Sequence, residues 1–234
     1  MADQSVLVII PAYNEAASIV ATVNAVIATG FDYVVVNDGS RDNTLDICRE
    51  HGFNVLDLPQ NLGIGGAVQA GHKYARAHGY SIDIQFDGDG QHDASYLEAL
   101  VDAVHEGRDL VIGSRFLEPT DGFQSTVMRR VGKTWLSGCL KLMARVRVTD
   151  PTSGFRACGP RAIELFCNSY PIDYPEPESI ALAARSGLTL GEIPVVMHER
   201  QGGVSSINAL ASVYYMIKVS LAIAITCAFH HRKG

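Results

Sequence analysis

Apolar residues fall along the chain in short β-branched runs separated by stretches with helical spacing. Ser5–Ile10, Tyr33–Asn37, Asn54–Leu58, Ile82–Phe86 and Asp109–Gly113 are predicted as buried strands. Between them, Glu15–Thr29, Asp42–His51, Ile64–His78 and Ala94–Glu106 have helix length. Asn14 and Ser40 stand where the first two helices need N-caps, and Gly30, Gly52, Gly79 and Gly107 where C-terminal glycines belong. Such alternation predicts an α/β fold: a Rossmann-like, mostly parallel central sheet sandwiched by helices. Past residue 114 the regularity ends. A loop, a basic helical stretch, the turn Asp150–Arg156, a Pro-rich turn, a further helix, the strand Leu190–His198 and an apolar tail follow.

The polar, glycine-containing segments come just after the strands: Pro11-Ala-Tyr-Asn-Glu15, Asp38-Gly-Ser40, Asn61-Leu-Gly-Ile-Gly-Gly66, Asp87-Gly-Asp-Gly-Gln91 and Ser114-Arg115. In an open parallel sheet this places all five on one rim, at the carboxyl ends of the strands, where ligands bind.

Composition narrows the picture. The 234 residues are 47% hydrophobic and 19% charged, enough for one large core and unlike a disordered or disulfide-framework chain. Five cysteines, with no C-x-x-C pair, suit reduced thiols in a cytosolic setting. The start, Met1-Ala-Asp-Gln-Ser5, has no basic segment of the kind that opens a signal peptide, so none is expected. Net charge is −6, but residues 1–199 carry −10 and residues 200–234 carry +4 with no acid. An acidic body argues against nucleic acid as a partner, and a basic, apolar tail argues for a membrane surface or a protein partner.

Candidate chemistry centres on Asp87-Gly-Asp-Gly-Gln-His-Asp93. Two carboxylates two residues apart, with the amide of Gln91, make a hard oxygen cluster suited to Mg²⁺ or Mn²⁺ bridged to a diphosphate. An EF-hand is excluded because His92 sits where the sharp-turn glycine is needed and a strand precedes the loop. Gly63-Ile-Gly-Gly-Ala-Val68 lacks the third glycine of a dinucleotide fingerprint, so Gly63 and Gly65 mark either a phosphate-approaching helix start or a plain loop. Gly132-Lys-Thr134 lacks the first glycine of a P-loop and a strand before it. Asp38 is placed to accept from uracil N3–H or from the N1 and N2 hydrogens of guanine, and Asp38-Gly-Ser40 also suits a helix-capping turn.

Val127–Thr149 carries Arg129, Arg130, Lys133, Lys141, Arg145 and Arg147 and no acid, opposite an apolar side that includes Met128, Trp135 and Leu142. A basic amphipathic helix of this kind reads as membrane-surface or anion-binding, or as a solvated helix face. In Ala209–Phe229 the uninterrupted apolar run Val219–Phe229 is too short to span a bilayer. The division expected is therefore a body over residues 1–205 and a membrane-associating helical tail over 206–234. Tyr214, Tyr215, Leu221, Ile223 and Ile225 would then be partly buried at an anionic surface or on a membrane partner.

Together Pro11-Ala-Tyr-Asn-Glu15, Val36-Asn-Asp-Gly-Ser40, Asn61-Leu-Gly63, Asp87-Gly-Asp89 with Gln91, Gly113-Ser-Arg115, Asp150-Pro-Thr-Ser-Gly-Phe-Arg156 and Arg200-Gln-Gly-Gly-Val-Ser-Ser206 carry a resemblance. The chain resembles the family 2 glycosyltransferases of GT-A fold, in the polyprenyl-phosphate branch typified by dolichol-phosphate mannose synthase. The resemblance implies an inverting enzyme that moves a sugar from a nucleotide diphosphate, UDP-glucose or UDP-N-acetylglucosamine before GDP-mannose, to a polyprenyl phosphate for cell-surface glycan synthesis. It implies that Pro11, Ala12, Tyr13, Glu15 and Asp38 hold base and ribose, with Gly63, Gly65 and Gly88 nearby. It further implies that Asp87, Asp89 and Gln91 ligate the metal, and that Arg200, Ser205 and Ser206 close over the diphosphate. Arg115, Arg129 and Arg130 would receive the acceptor phosphate. Hydroxyl-acceptor members present a Glu-Asp pair as base, but here the region reads Tyr174-Pro-Glu-Pro-Glu178, leaving Glu176 and Glu178 as base or orienter if the acceptor is a glycan hydroxyl. The Gln-x-x-Arg-Trp sequence of processive synthases is absent. The expected location is the inner face of the cell membrane, held peripherally, as a homo-oligomer or with a small membrane-protein partner. An inactive scaffolding subunit is the contrasting class; the intact Asp87, Asp89, Gln91 and Arg200 argue against it.

Overall fold

The computed structural model describes residues 5–118, 127–197 and 209–229. Seven strands form one sheet: β1 (Val6–Ala12), β2 (Asp32–Asn37), β3 (Val55–Asp57), β4 (Ile82–Gln85), β5 (Leu110–Ser114), β6 (Arg156–Cys158) and β7 (Leu190–Pro194). Their order is β3-β2-β1-β4-β6-β5-β7. Every pairing is parallel except those of β6, which runs antiparallel to both β4 and β5. The mostly parallel α/β sheet is as expected. The strand β6 inside the sheet is not, because three residues after a turn carry too little periodicity to be read.

Alternation along each strand divides the core. In β1, Val6, Val8, Ile10 and Ala12 face the helices α1 (Ile19–Ile27) and α4 (Leu97–His105), packing on Ile19, Val23, Leu97 and Leu100. Leu7 and Ile9 face α3 (Gly63–Ala77) with Val34 and Val36 of β2. This two-sided burial is why the strands read as continuous apolar runs. The helix α2 (Thr44–Glu50) flanks β3. On the far half of the sheet, Leu110 packs with α6 (Pro160–Asn168) and α7 (Pro175–Arg185). Each of these helices starts at a proline, where a missing N–H costs nothing. A Pro-rich turn is expected between Asp150–Arg156 and Leu190; the Pro-rich segment Tyr174–Glu178 is instead the N-cap and first turn of a helix.

The helices after β5 that pack beyond the sheet join the same body. The helix α5 (Val127–Cys139) continues into a π-helical turn, Leu140–Ala144, that ends at Arg145 in the left-handed conformation. The helix α8 (Ala209–Phe229) packs on α5, α7 and that turn. Val219, Ile223 and Cys227 are buried with Ile112, Leu136, Leu140 and Ile180. Trp135 Nε1 donates to Ser220 Oγ at 2.9 Å and Thr226 Oγ1 to Glu178 Oε1 at 2.8 Å. Ile223, expected against a bilayer, is turned into the protein core. Tyr214, Ile217, Leu221 and Ile225 lie on the opposite, exposed side, and Val131, Trp135 and Leu142 are exposed as well. No described helix is long and apolar enough to cross a membrane.

The expected C-terminal glycines Gly30, Gly52, Gly79 and Gly107 all have positive φ. The expected N-caps differ. Ser18 and Asn43 occupy the N-cap positions of α1 and α2, whereas Asn14 and Ser40 bind each other's loops. Asn14, itself left-handed at φ 57°, donates its N–H to Ser40 Oγ at 3.1 Å, and its Oδ1 accepts from Arg41 N–H at 2.8 Å. These two residues spend their capping chemistry on joining the loops after β1 and β2.

Candidate active site

The joined loops form one wall of a cavity of 370 Å³ at the carboxyl ends of β1, β2 and β4. Pro11, Ala12, Tyr13, Glu15, Asp38, Gly63, Asp87, Gly88 and Asp89 all line it, together with Asn61, Ile64 and Ala67. Segments as much as 78 positions apart, from Pro11 to Asp89, thus converge because parallel strands deliver their loops to one rim. Ile64 and Ala67 were not anticipated. Their signal was available in the helical spacing, which sets Gly63, Ile64 and Ala67 on one face of the first turns of α3.

Asp38 anchors the wall of the cavity next to α3. Its Oδ1 accepts the Leu62 N–H at 2.7 Å, and its carbonyl accepts from Asn61 Nδ2 at 3.0 Å. Burial pushes its carboxyl up, opposed by the backbone N–H groups of Leu62 and Gly63. Gly65 does not line the cavity. A Cβ there would stand 2.3 Å from the carbonyl oxygen of Pro171 and 2.5 Å from that of Ile172, so its lack of side chain admits the loop before α7.

Asp87 is held from several sides. Gln85 Nε2 donates to its Oδ1 at 2.9 Å. Its own N–H donates to His92 Nδ1 at 3.0 Å, and His92 Nε2 lies 3.6 Å from its Oδ2. Burial holds the His92 imidazole below its usual range, against the opposing pull of Asp87 and Asp89. A Cβ on Gly154 would come within 2.7 Å of Asp87 Oδ2, so the turn Asp150–Arg156 leaves that carboxylate its place. Asp89 Oδ1 accepts the Gln91 N–H at 3.0 Å, curling the loop so that both carboxylates reach the cavity. Two carboxylates on one wall are a donor set that fits a hard divalent ion. On the far side, Gly88 C=O accepts from Ser18 Oγ at 2.8 Å, which ties the loop to α1.

Arg115, Glu176 and Glu178 are not among the residues that line the cavity. Arg115 forms a two-pronged pair with buried Asp150, Nε to Oδ2 at 2.7 Å and Nη2 to Oδ1 at 2.8 Å, and also donates to Thr152 Oγ1. Such a fork fixes the guanidinium and leaves less of it for an anion. Glu176 opens α7, part-buried, its carboxyl pushed up by burial, with Arg156 opposing and Asp87 reinforcing. Glu178 is taken by Thr226 of α8. Arg129 and Arg130 lie in α5, but their side chains fall outside the described residues, as do Arg200, Ser205 and Ser206.

Away from the rim, His72, Asp83 and Cys158 bring three buried donor atoms within 4.8 Å of one another. His72 Nδ1 and Asp83 Oδ2 are 2.7 Å apart, a hydrogen-bond length. Two ligands of a tetrahedral zinc at bond lengths of ~2.0–2.1 Å would stand about 3.3 Å apart, so these two atoms form a core hydrogen bond.

A family model described as "Glycosyl transferase family 2" matches residues 7–163. The UDP-N-acetylglucosamine–dolichyl-phosphate N-acetylglucosaminyltransferase of Methanococcus voltae is 31% identical over 216 residues, covering 83% of this chain and 86% of the relative. The polyprenol monophosphomannose synthase of Mycolicibacterium smegmatis is 30% identical over 229 residues, covering 93% and 86%. Among solved structures, glucosyl-3-phosphoglycerate synthase from Mycobacterium tuberculosis, in complex with Mn²⁺, UDP-glucose and phosphoglyceric acid, superposes with a TM-score of 0.73 at 19% identity. That superposition covers 97% of this chain and 81% of the other.

Proposed function

Because the chain belongs to glycosyl transferase family 2, we propose that it transfers a sugar from a nucleoside diphosphate donor to the phosphate of a polyprenyl lipid. The observation that carries this reading is the convergence of Asp38, Asp87 and Asp89 on one cavity at the carboxyl rim of the sheet. In it, Asp38 accepts from the base and the loop Pro11–Glu15 lies along base and ribose. The donor is a UDP-sugar, glucose or N-acetylglucosamine, which the name of the M. voltae relative supports; GDP-mannose is the alternative, supported by the M. smegmatis relative. A divalent ion, Mg²⁺ or Mn²⁺, would be held by Asp87 and Asp89 beside Gln91 and would neutralise charge developing on the departing diphosphate.

A lipid phosphate oxygen attacks the anomeric carbon from the side opposite the diphosphate. The new C–O bond forms as the bond to the diphosphate breaks, the anomeric centre inverts, and the nucleoside diphosphate departs. A phosphate is already anionic and requires no base, which agrees with the absence of a Glu-Asp pair after Tyr174. Arg200, with Ser205 and Ser206, is assigned to the diphosphate, and the basic stretch around Arg129 and Arg130 to the incoming lipid phosphate. A second reading, a glycan hydroxyl acceptor, draws on Glu176, whose raised carboxyl lies within electrostatic reach of Asp87 and suits a general base.

The acid-free stretch of α5 and the exposed side of α8 would set the protein peripherally on an anionic bilayer. Trp135, Leu142, Ile217 and Leu221 enter the interface, and Lys133, Lys141 and Lys218 add electrostatic attraction to anionic lipid. The test supplies labelled UDP-glucose, UDP-N-acetylglucosamine or GDP-mannose with undecaprenyl phosphate in vesicles or with soluble glycan acceptors. Label that moves into organic solvent and is released by mild acid supports the lipid acceptor. Label that moves onto a water-soluble glycan refutes it.

A further inference from the structure

The reaction proposed above assigns no work to His92, yet its side chain is closely specified. Its imidazole is buried, stacked flat on Phe155 with ring centroids 4.7 Å apart and planes at 13°, and set edge-on to Phe86 at 5.4 Å. Phe86 and Phe155 are themselves fully buried, so the ring has one place to lie. Within that slot, Nδ1 accepts the N–H of Asp87. An accepting Nδ1 carries no hydrogen, which leaves the ring hydrogen on Nε2, the atom 3.6 Å from Asp87 Oδ2. That is beyond hydrogen-bond length, and the contact acts as a dipole turned towards a carboxylate. One ring therefore addresses both the main chain and the side chain of the same aspartate. Gln85 holds the other carboxylate oxygen. The His92 backbone also bridges antiparallel to Met197, so the ring sits where the Asp87 loop meets the chain that leads to Arg200.

We propose that His92 is a positioning residue for the diphosphate end of the donor site, fixing the Asp87 main chain and carboxylate in the orientation that receives a divalent ion. It rests on the reading of Asp87 and Asp89 as metal ligands. Groups that orient a metal-binding carboxylate contribute through affinity for the ion, with losses of about 10–100-fold on removal. The base-side wall at Asp38 is built from other loops and is left untouched by the same change.

Two substitutions separate positioning from packing. His92→Phe keeps an aromatic ring between Phe86 and Phe155 but removes both nitrogens, leaving the Asp87 N–H without its acceptor. His92→Asn gives up the stack but can place Oδ1 where Nδ1 was. Mn²⁺ is titrated into the full chain with whichever of UDP and GDP raises the melting temperature of the native protein, and half-saturation is read by thermal shift and by the electron paramagnetic resonance of free Mn²⁺. Positioning predicts opposite orders: His92→Phe melts higher than His92→Asn yet binds Mn²⁺ more weakly, about tenfold or more below the native protein. Packing alone predicts that His92→Phe is the better of the two in both measurements. Native Mn²⁺ half-saturation in folded His92→Phe, which lacks both nitrogens, overturns the inference by itself. Nucleotide binding by the native protein with no dependence on Mn²⁺ overturns the metal assignment of Asp87 and Asp89, and the inference with it.

Discussion

The helix α8 has two apolar sides with different destinations, and substitution on each should separate folding from membrane binding. Ile223 is fully buried, enclosed with Val219, Cys227, Leu136, Leu140 and Ile180. Ile223→Ala removes three carbons from a site walled by two helices, a π-helical turn and a strand, which have little room to collapse inward. Large-to-small substitutions of this kind cost about 2–5 kcal/mol, and at complete burial the upper half of that range applies. With a urea slope of about 3 kcal/mol/M, the unfolding midpoint of the full chain should fall by about 1 M or more. Leu221 is 59% exposed and Ile217 64% exposed on the opposite side. Leu221→Ser and Ile217→Ser should each change stability by about 1 kcal/mol or less. Each should nonetheless weaken sedimentation with phosphatidylglycerol vesicles several-fold, since an apolar side chain of this size gains about 1.5–3 kcal/mol on full burial. An unchanged midpoint for Ile223→Ala would mean that α8 does not dock on the body. Native vesicle binding by the serine variants would falsify the membrane role of the exposed side.

Asp89→Ala should lower transfer more than about 10²-fold, from lost charge stabilisation, while the melting temperature stays within a few degrees of native; full activity, or native activity undiminished in excess chelator, contradicts the metal assignment. Gly65→Ala should cost about 1–3 kcal/mol in urea unfolding, because the new methyl group meets the Pro171 and Ile172 carbonyls, with donor affinity per folded molecule retained. A stable variant that has lost donor binding would return Gly65 to the ligand. Glu176 has its folded carboxyl raised by burial, so its ionisation costs stability that appears as pH climbs past the unfolded value of about 4.3 and is complete above the folded value. Glu176→Gln should accordingly be more stable than native at pH 7.5 and equal to it near pH ~4 in urea melts. A loss at pH 7.5 would show that the carboxylate is stabilised by its surroundings.

Much of this was legible in the chain because parallel strands buried on both faces leave unmistakable runs, as in Val34-Val-Val36, and because their loops must share a rim. The cavity residues Ala12, Asp38, Asp87 and Asp89 followed from that topology and from the chemistry of carboxylates spaced by glycine. What escaped depends on contacts between segments distant in sequence. Asn14 and Ser40 look like caps locally, but their partners lie 26–28 residues away. The role of Gly65 lies in a loop more than a hundred residues later, and that of Arg115 is set by Asp150 across the turn. The two-sidedness of α8 was hidden because both of its sides are apolar, so composition does not say which one meets protein. His92 was noticed for what it excludes, an EF-hand, while its packing on Phe155 is a tertiary fact.

Transfer of a sugar onto a lipid phosphate with departure of a nucleoside diphosphate is tested most directly by resolving both products of one reaction by mass spectrometry. With undecaprenyl phosphate, a soluble glycan acceptor and the donor that stabilises the protein all present, the expected product is a lipid phosphodiester heavier than the lipid acceptor by one sugar less water. One nucleoside diphosphate should be released for each lipid consumed. Release of a nucleoside monophosphate with a lipid diphosphate would place bond cleavage between the phosphates, and an unchanged lipid beside a lengthened glycan would move the acceptor to a hydroxyl. Either result contradicts the account.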